Sequence, residues 1–94
     1  MRVYVCTDME GLAGVDRWAQ CLPHPDGNPD YADGLEHLTA ETNAAVAGCF
    51  DAGATEVRVL DGHGWNENRG LLRSKLDPRD IYTWPSTKWV PAGP

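Results

Sequence analysis

A strand, a long amphipathic helix and a second strand restrict this chain more than any other feature of its sequence. Arg2-Val3-Tyr4-Val5 is rich in β-branched and aromatic residues, and a first strand is expected over residues 2–7. Residues 31–52 then take up a helical period. Leu35, Leu38, Thr42, Ala45, Val46, Cys49 and Phe50 share one stripe, and Glu36, Glu41, Asn43 and Asp51 take the other face. Asp30 or Asp33 suits the start of this helix and Gly53 suits a left-handed stop. Ala54-Thr55 leads into Glu56-Val57-Arg58-Val59-Leu60, a second strand. Strand, helix and strand with short joints form a βαβ unit, which predicts parallel neighbours and a right-handed crossover. The expected fold class is α/β, a three-layer-type parallel sheet begun by this unit and forming the N-terminal part of a larger domain.

Between strand and helix, residues 11–34 are rich in glycine, proline and aspartate and read as a long loop, with a turn of helix near Val15–Gln20. A loop of this length is either functional, here a lip over a site, or a mobile surface segment. Trp18 and Tyr31 read as packing groups. After the second strand, residues 66–76 support a short helix interrupted by Gly70, with Leu71, Leu72 and Leu76 turned inward. Asp77-Pro78 ends it. Residues 79–84 suit a third strand, and prolines leave 85–94 an irregular tail. The 94 residues make one small α/β domain or the N-terminal fragment of one.

Charge and hydropathy narrow the partners. The formal net charge of −6 argues against nucleic acid or an anionic membrane and is compatible with a cation. No apolar run approaches the roughly 18–20 residues needed to span a bilayer. No signal peptide is visible after Met1-Arg2, and a cytoplasmic protein is expected. Cys6, Cys21 and Cys49 are too irregular for a disulfide framework. Cys6 and Cys49 read as small buried hydrophobes and Cys21 as a loop residue.

The first strand ends in Asp8-Met9-Glu10-Gly11. Residues i and i+2 of extended backbone point the same way, so Asp8 and Glu10 aim at one volume. Two such carboxylates repel unless a proton or cation lies between them. A polar turn with solvated carboxylates is the alternative. The second strand ends in Asp61-Gly62-His63-Gly64. If the strands are parallel neighbours, both turns leave the same sheet edge, where open α/β sheets place their ligands. Asp8, Glu10 and His63 together suit a divalent transition metal, zinc above all. Asp61 either orients the His63 imidazole or caps the turn. His24 and His37 read as surface residues.

In their order and spacing these segments resemble the D-aminopeptidases of the DppA type, zinc metallopeptidases with a two-metal site. The resemblance rests on Asp8-Met9-Glu10-Gly11 after a strand, then Leu38-Thr39-Ala40-Glu41-Thr42-Asn43 on a helix. It continues through Asp61-Gly62-His63-Gly64 and Asn66 to Leu76-Asp77-Pro78, covering Met1 to about Trp84. It implies that Asp8, Glu10 and His63 are metal ligands, with Asp8 the candidate bridge, and that N-terminal residues, D-configured, are released hydrolytically from short peptides. It also implies ring-like assemblies, hence a homo-oligomer. Members of that family are much longer, and their further ligands and catalytic histidine follow the segment that Pro94 closes. No catalytic residue is therefore identified among these 94. At most part of the zinc site is expected here, with little activity from the chain alone.

Two other readings stand beside this one. A strand followed by D-x-D-G opens haloacid dehalogenase-type phosphatases, in which Asp8 would be the nucleophile, although Glu10 replaces the second aspartate. A non-catalytic metal-binding or structural fragment is the third, with open strand edges that favour oligomerisation.

Overall fold

The computed structural model describes residues 1–21, 29–62 and 71–83. Strand β1 (Arg2–Thr7), helix α1 (Pro29–Asp51), strand β2 (Glu56–Asp61) and strand β3 (Ile81–Thr83) follow one another in the chain. The strands form one sheet in the order β1-β2-β3, and both pairs are parallel. The expected α/β class, with its parallel sheet and helical crossover, is therefore observed. Arg2 lies opposite Glu56, and the register runs without interruption to Thr7 opposite Asp61. Arg58 and Leu60 of β2 lie opposite Ile81 and Thr83 of β3.

One face of the sheet makes the core. Val57 and Val59 are fully buried, and Val3 and Val5 pack against the same cluster. Helix α1 adds Leu38 and Val46, with Leu35, Cys49 and Phe50 partly buried beside them. Ala45, expected in the stripe, is exposed, and Thr39 is buried instead. The helix ends where expected. Gly53 has φ +101°, and the N–H groups of Gly53 and Ala54 donate to the carbonyls of Phe50 and Cys49. Those two bonds satisfy carbonyls that the helix itself leaves open.

The helix begins at Pro29, so the connection from β1 is shorter than the 11–34 loop expected from composition. Proline suits a first helical position because its missing N–H has no partner there in any case. Asp30 consequently stands in the first turn, and Asp33 lies a turn further in, so neither is the cap expected of it. A 3-10 turn at Trp18–Gln20 matches the expected turn of helix.

Cys6 is exposed, contrary to expectation. Strand alternation turns Val3, Val5 and Thr7 toward α1 and leaves Arg2, Tyr4 and Cys6 on the opposite face. Cys21 is buried, and Trp18, expected to pack, is 69% exposed. Tyr31 does pack against the core. The segment before β3 has a 3-10 turn at Arg73–Lys75, with Leu71 buried and Leu76 partly buried in the core cluster. The tail 85–94 and His24 lie outside the described residues.

Segment 71–77 is fastened to α1 by side chains. The Leu72 N–H donates to Thr39 Oγ1 at 3.0 Å. Asn43 donates to the Lys75 carbonyl and accepts from the Asp77 N–H, both at 2.8 Å. Asp77 in turn receives the Arg79 guanidinium through both carboxylate oxygens and the Arg79 N–H through one of them. The guanidinium bonds, more than the backbone bond, hold the Asp77 carboxyl at about 2. Its folded value lies below the ordinary 3.8, so its contribution to stability is complete above about pH 4 and is lost as pH falls through about 2. A carbon-detected NMR titration is expected to place the Asp77 midpoint near 2 and to return it toward 3.8 in Arg79→Ala. An unshifted Asp77 in the wild type would contradict this.

Candidate metal centre

Asp8 and Glu10 leave β1 in alternation with the core. Met9 between them is fully buried, while both carboxylate residues are exposed, so the two lie on the outer side together. The reason is visible at α1. A β-carbon added to Gly34 would fall 2.6 Å from the Met9 methyl and 2.2 Å from the Gln20 carbonyl oxygen. Only a residue without a side chain lets the helix approach this closely, and the approach anchors Met9 inward. The Asp8 carboxylate accepts the Met9 N–H at 2.8 Å.

The chain then turns twice. The Leu12 N–H donates to the Met9 carbonyl and the Val15 N–H to the Leu12 carbonyl. Gly11 and Gly14 hold the third position of each turn with φ near +85° (+84° and +85°), where side chains are disfavoured. Gln20, 1% exposed, fastens the backbone beyond these turns. Its Oε1 accepts the N–H groups of Asp16 and Arg17, and its Nε2 donates to the Gly14 carbonyl and to Asp33. The segment after the carboxylates is thus built around one buried amide. His37, expected at the surface, is half-buried against Gly14, with Asp33 3.5 Å from its Nε2.

The end of β2 stands beside the end of β1. The Thr7 hydroxyl donates to the Leu60 carbonyl at 3.0 Å and accepts the Gly62 N–H at 3.4 Å. One side chain therefore links the residue before Asp8 to the residue before His63. Asp61 is fully buried. Its Oδ2 accepts the Leu71 N–H at 3.1 Å and the Tyr82 hydroxyl at 2.8 Å. It thereby ties β2 to β3 and to the far end of the segment that begins at Gly62. The His63 imidazole, which Asp61 is expected to orient, lies outside the described residues.

Burial, then Glu10 and Asp8, push the Cys21 thiol up. Burial, then Asp61 and Cys21, push the Tyr31 phenol up. Cys21 thus senses the carboxylates that follow β1, and Tyr31 senses the one that ends β2. Among the described residues no three His, Cys, Asp or Glu side chains form a metal-holding group. His63, the third expected donor, lies outside the described residues. The donors present are nonetheless of the right kind, since two outward carboxylates at one strand end suit a divalent cation.

Met9, Gly34 and Gln20 do not stand out in the sequence. Thr7 alone carries a signal there, standing last in a strand with its side chain on the Val3–Val5 face. Thr7→Val is expected to lower stability by about 1 kcal/mol in urea denaturation, through loss of the inter-strand hydroxyl bonds. Asp61→Ala is expected to cost more, about 2–3 kcal/mol, because it strands a buried N–H and a phenol. Wild-type stability in Asp61→Ala would contradict the fastening role.

Comparison with known proteins gives the same outline. A model of the D-aminopeptidase family matches residues 1–82. The D-aminopeptidase of Bacillus subtilis (strain 168) is 35% identical over 80 residues, which is 83% of this chain and 27% of that protein. The solved structure of the Zn-dependent D-aminopeptidase DppA from Bacillus subtilis, a self-compartmentalizing protease, superposes with a TM-score of 0.78 at 32% identity. That match covers 94% of this chain and 30% of the solved one. The chain therefore spans less than a third of the length of these relatives.

Proposed function

The chain belongs to the D-aminopeptidase family, and from that premise we propose that it supplies part of a zinc-dependent aminopeptidase centre. The reaction proposed is hydrolytic release of N-terminal D-amino acids from short peptides. A cytoplasmic, homo-oligomeric enzyme is part of the same proposal. Among the described residues, no helix is long and apolar enough to cross a membrane. The phosphatase alternative gains no support from the matches.

The observation that carries the proposal is the parallel pairing of β1 and β2, with Thr7 opposite Asp61. Asp8 and Glu10 follow one partner of that pair, and His63 follows the other by two residues. These three are the proposed metal ligands, with Asp8 as the bridging carboxylate of a two-metal site. A zinc bound there would supply a Lewis acid and a water of lowered pKa for attack on the scissile carbonyl. The chain's own residues do the positioning. Met9, locked against Gly34, keeps Asp8 and Glu10 turned outward. Thr7 holds the two strand ends in step. Asp61 is proposed to support His63 indirectly, by fixing both ends of the segment that carries it.

Elemental analysis of the purified chain beside His63→Ala tests the ligand set. Zinc is expected in the wild type and at least about tenfold weaker retention in the variant, since loss of even a ligand's hydrogen-bond partner costs that much. Equal zinc in both would remove His63 from the site. Because the chain brings only three of the proposed ligands, its cleavage of a D-alanyl peptide is expected to be slight. Robust zinc-dependent turnover by the 94 residues alone would show that they hold a complete catalytic set.

A further inference from the structure

We propose that the pocket beside Glu10 receives the side chain of the substrate's N-terminal residue and selects an apolar one. The proposal rests on the aminopeptidase reading and adds a substrate class to it. The pocket has a volume of about 290 Å³. Glu10 and Gly11 form one wall, so the pocket adjoins the carboxylate pair directly. A group bound at the carboxylates has this cavity as its neighbour.

The floor is apolar. Val15 and Cys21 supply it, and both are buried. Trp18 stands at the rim with 69% of its surface open, the largest exposed aromatic among the described residues. An indole left open over an apolar cavity offers a flat contact face at small entropic cost. At the rim the Arg17 guanidinium lies 3.6 Å from Asp16 and 3.6 Å from Asp30. The Asp16 and Arg17 N–H groups donate to Gln20. Beside these charges the rim offers an occupant the Trp18 face and the aliphatic stem of Arg17.

At about 290 Å³ the pocket stands at the lower end of ligand-sized cavities, so a branched side chain enters it without clash. Gln20 fixes the backbone on which Trp18 stands, so the cavity is shaped before anything enters. A branched aliphatic side chain covers Val15, Cys21 and the indole together. A methyl group covers less of this surface.

The test is an NMR titration of the zinc-free chain with D-leucinamide and with D-alaninamide, which share the ammonium and carbonyl and differ in side chain. Amide shifts are expected at Gly11, Val15 and Cys21, with D-leucinamide bound at least about tenfold more tightly. Trp18→Ala is expected to reduce that ratio to about threefold or less while the remaining spectrum stays dispersed, and Trp18→Phe to restore most of it. Equal affinity for the two amides would overturn the proposal, as would shifts confined to other regions or a ratio unchanged in Trp18→Ala. Zinc is absent from this titration by design. Failure of the chain to retain zinc would count against the metallopeptidase reading, and the amide ratio would still decide the pocket.

Discussion

The structure depends on the parallel register that puts Thr7 opposite Asp61. Every hydrogen bond of the β1–β2 ladder contributes, but the Thr7 hydroxyl closes it at the carboxyl end, between Leu60 and Gly62. A slip of one residue would turn Val57 and Val59 out of the core and Asp61 with them. Burial of the two valines therefore fixes the relation between the two turns. The chemistry of the edge is a consequence of apolar packing some residues away from it.

Helix α1 is the second half of that arrangement. Its apolar residues cover the sheet, and its small and polar residues set the loops. Gly34 seats Met9 and so orients the carboxylates on either side of it. Thr39 and Asn43 hold the backbone of segment 71–77. Each such bond contributes about 1 kcal/mol net of the water it replaces. Together with Asp61 they determine where the chain lies over residues 71–77.

The fold was legible where a period was strong. The valines of β1 and β2, the Leu38–Val46 stripe and the Gly53 stop are local patterns, and each yields its element without knowledge of the others. Cys6 and Ala45 went astray because burial depends on which face the neighbouring element covers, and that is a tertiary fact. The 11–34 stretch misled through composition. Gly11, Gly14 and Pro29 mark two tight turns and a helix start, while the residue that organises the described part, Gln20, is an ordinary amide in sequence. At the candidate centre, Asp8 and Glu10 were readable from alternation. The Asp61 contacts were not, because Leu71 and Tyr82 lie ten and twenty-one residues away.

The relatives that share this outline are D-aminopeptidases, the solved one Zn-dependent, and the chain spans less than a third of their length. Carboxylates from one strand end and an imidazole from the next are proposed to meet on one cation at the sheet edge. X-ray absorption at the zinc edge of the metal-loaded chain tests that meeting most directly. A shell of oxygen and nitrogen near 2.0–2.2 Å, with the outer scattering of one imidazole, is the predicted result. A sulfur shell near 2.3 Å, carrying the metal to a cysteine, would contradict it.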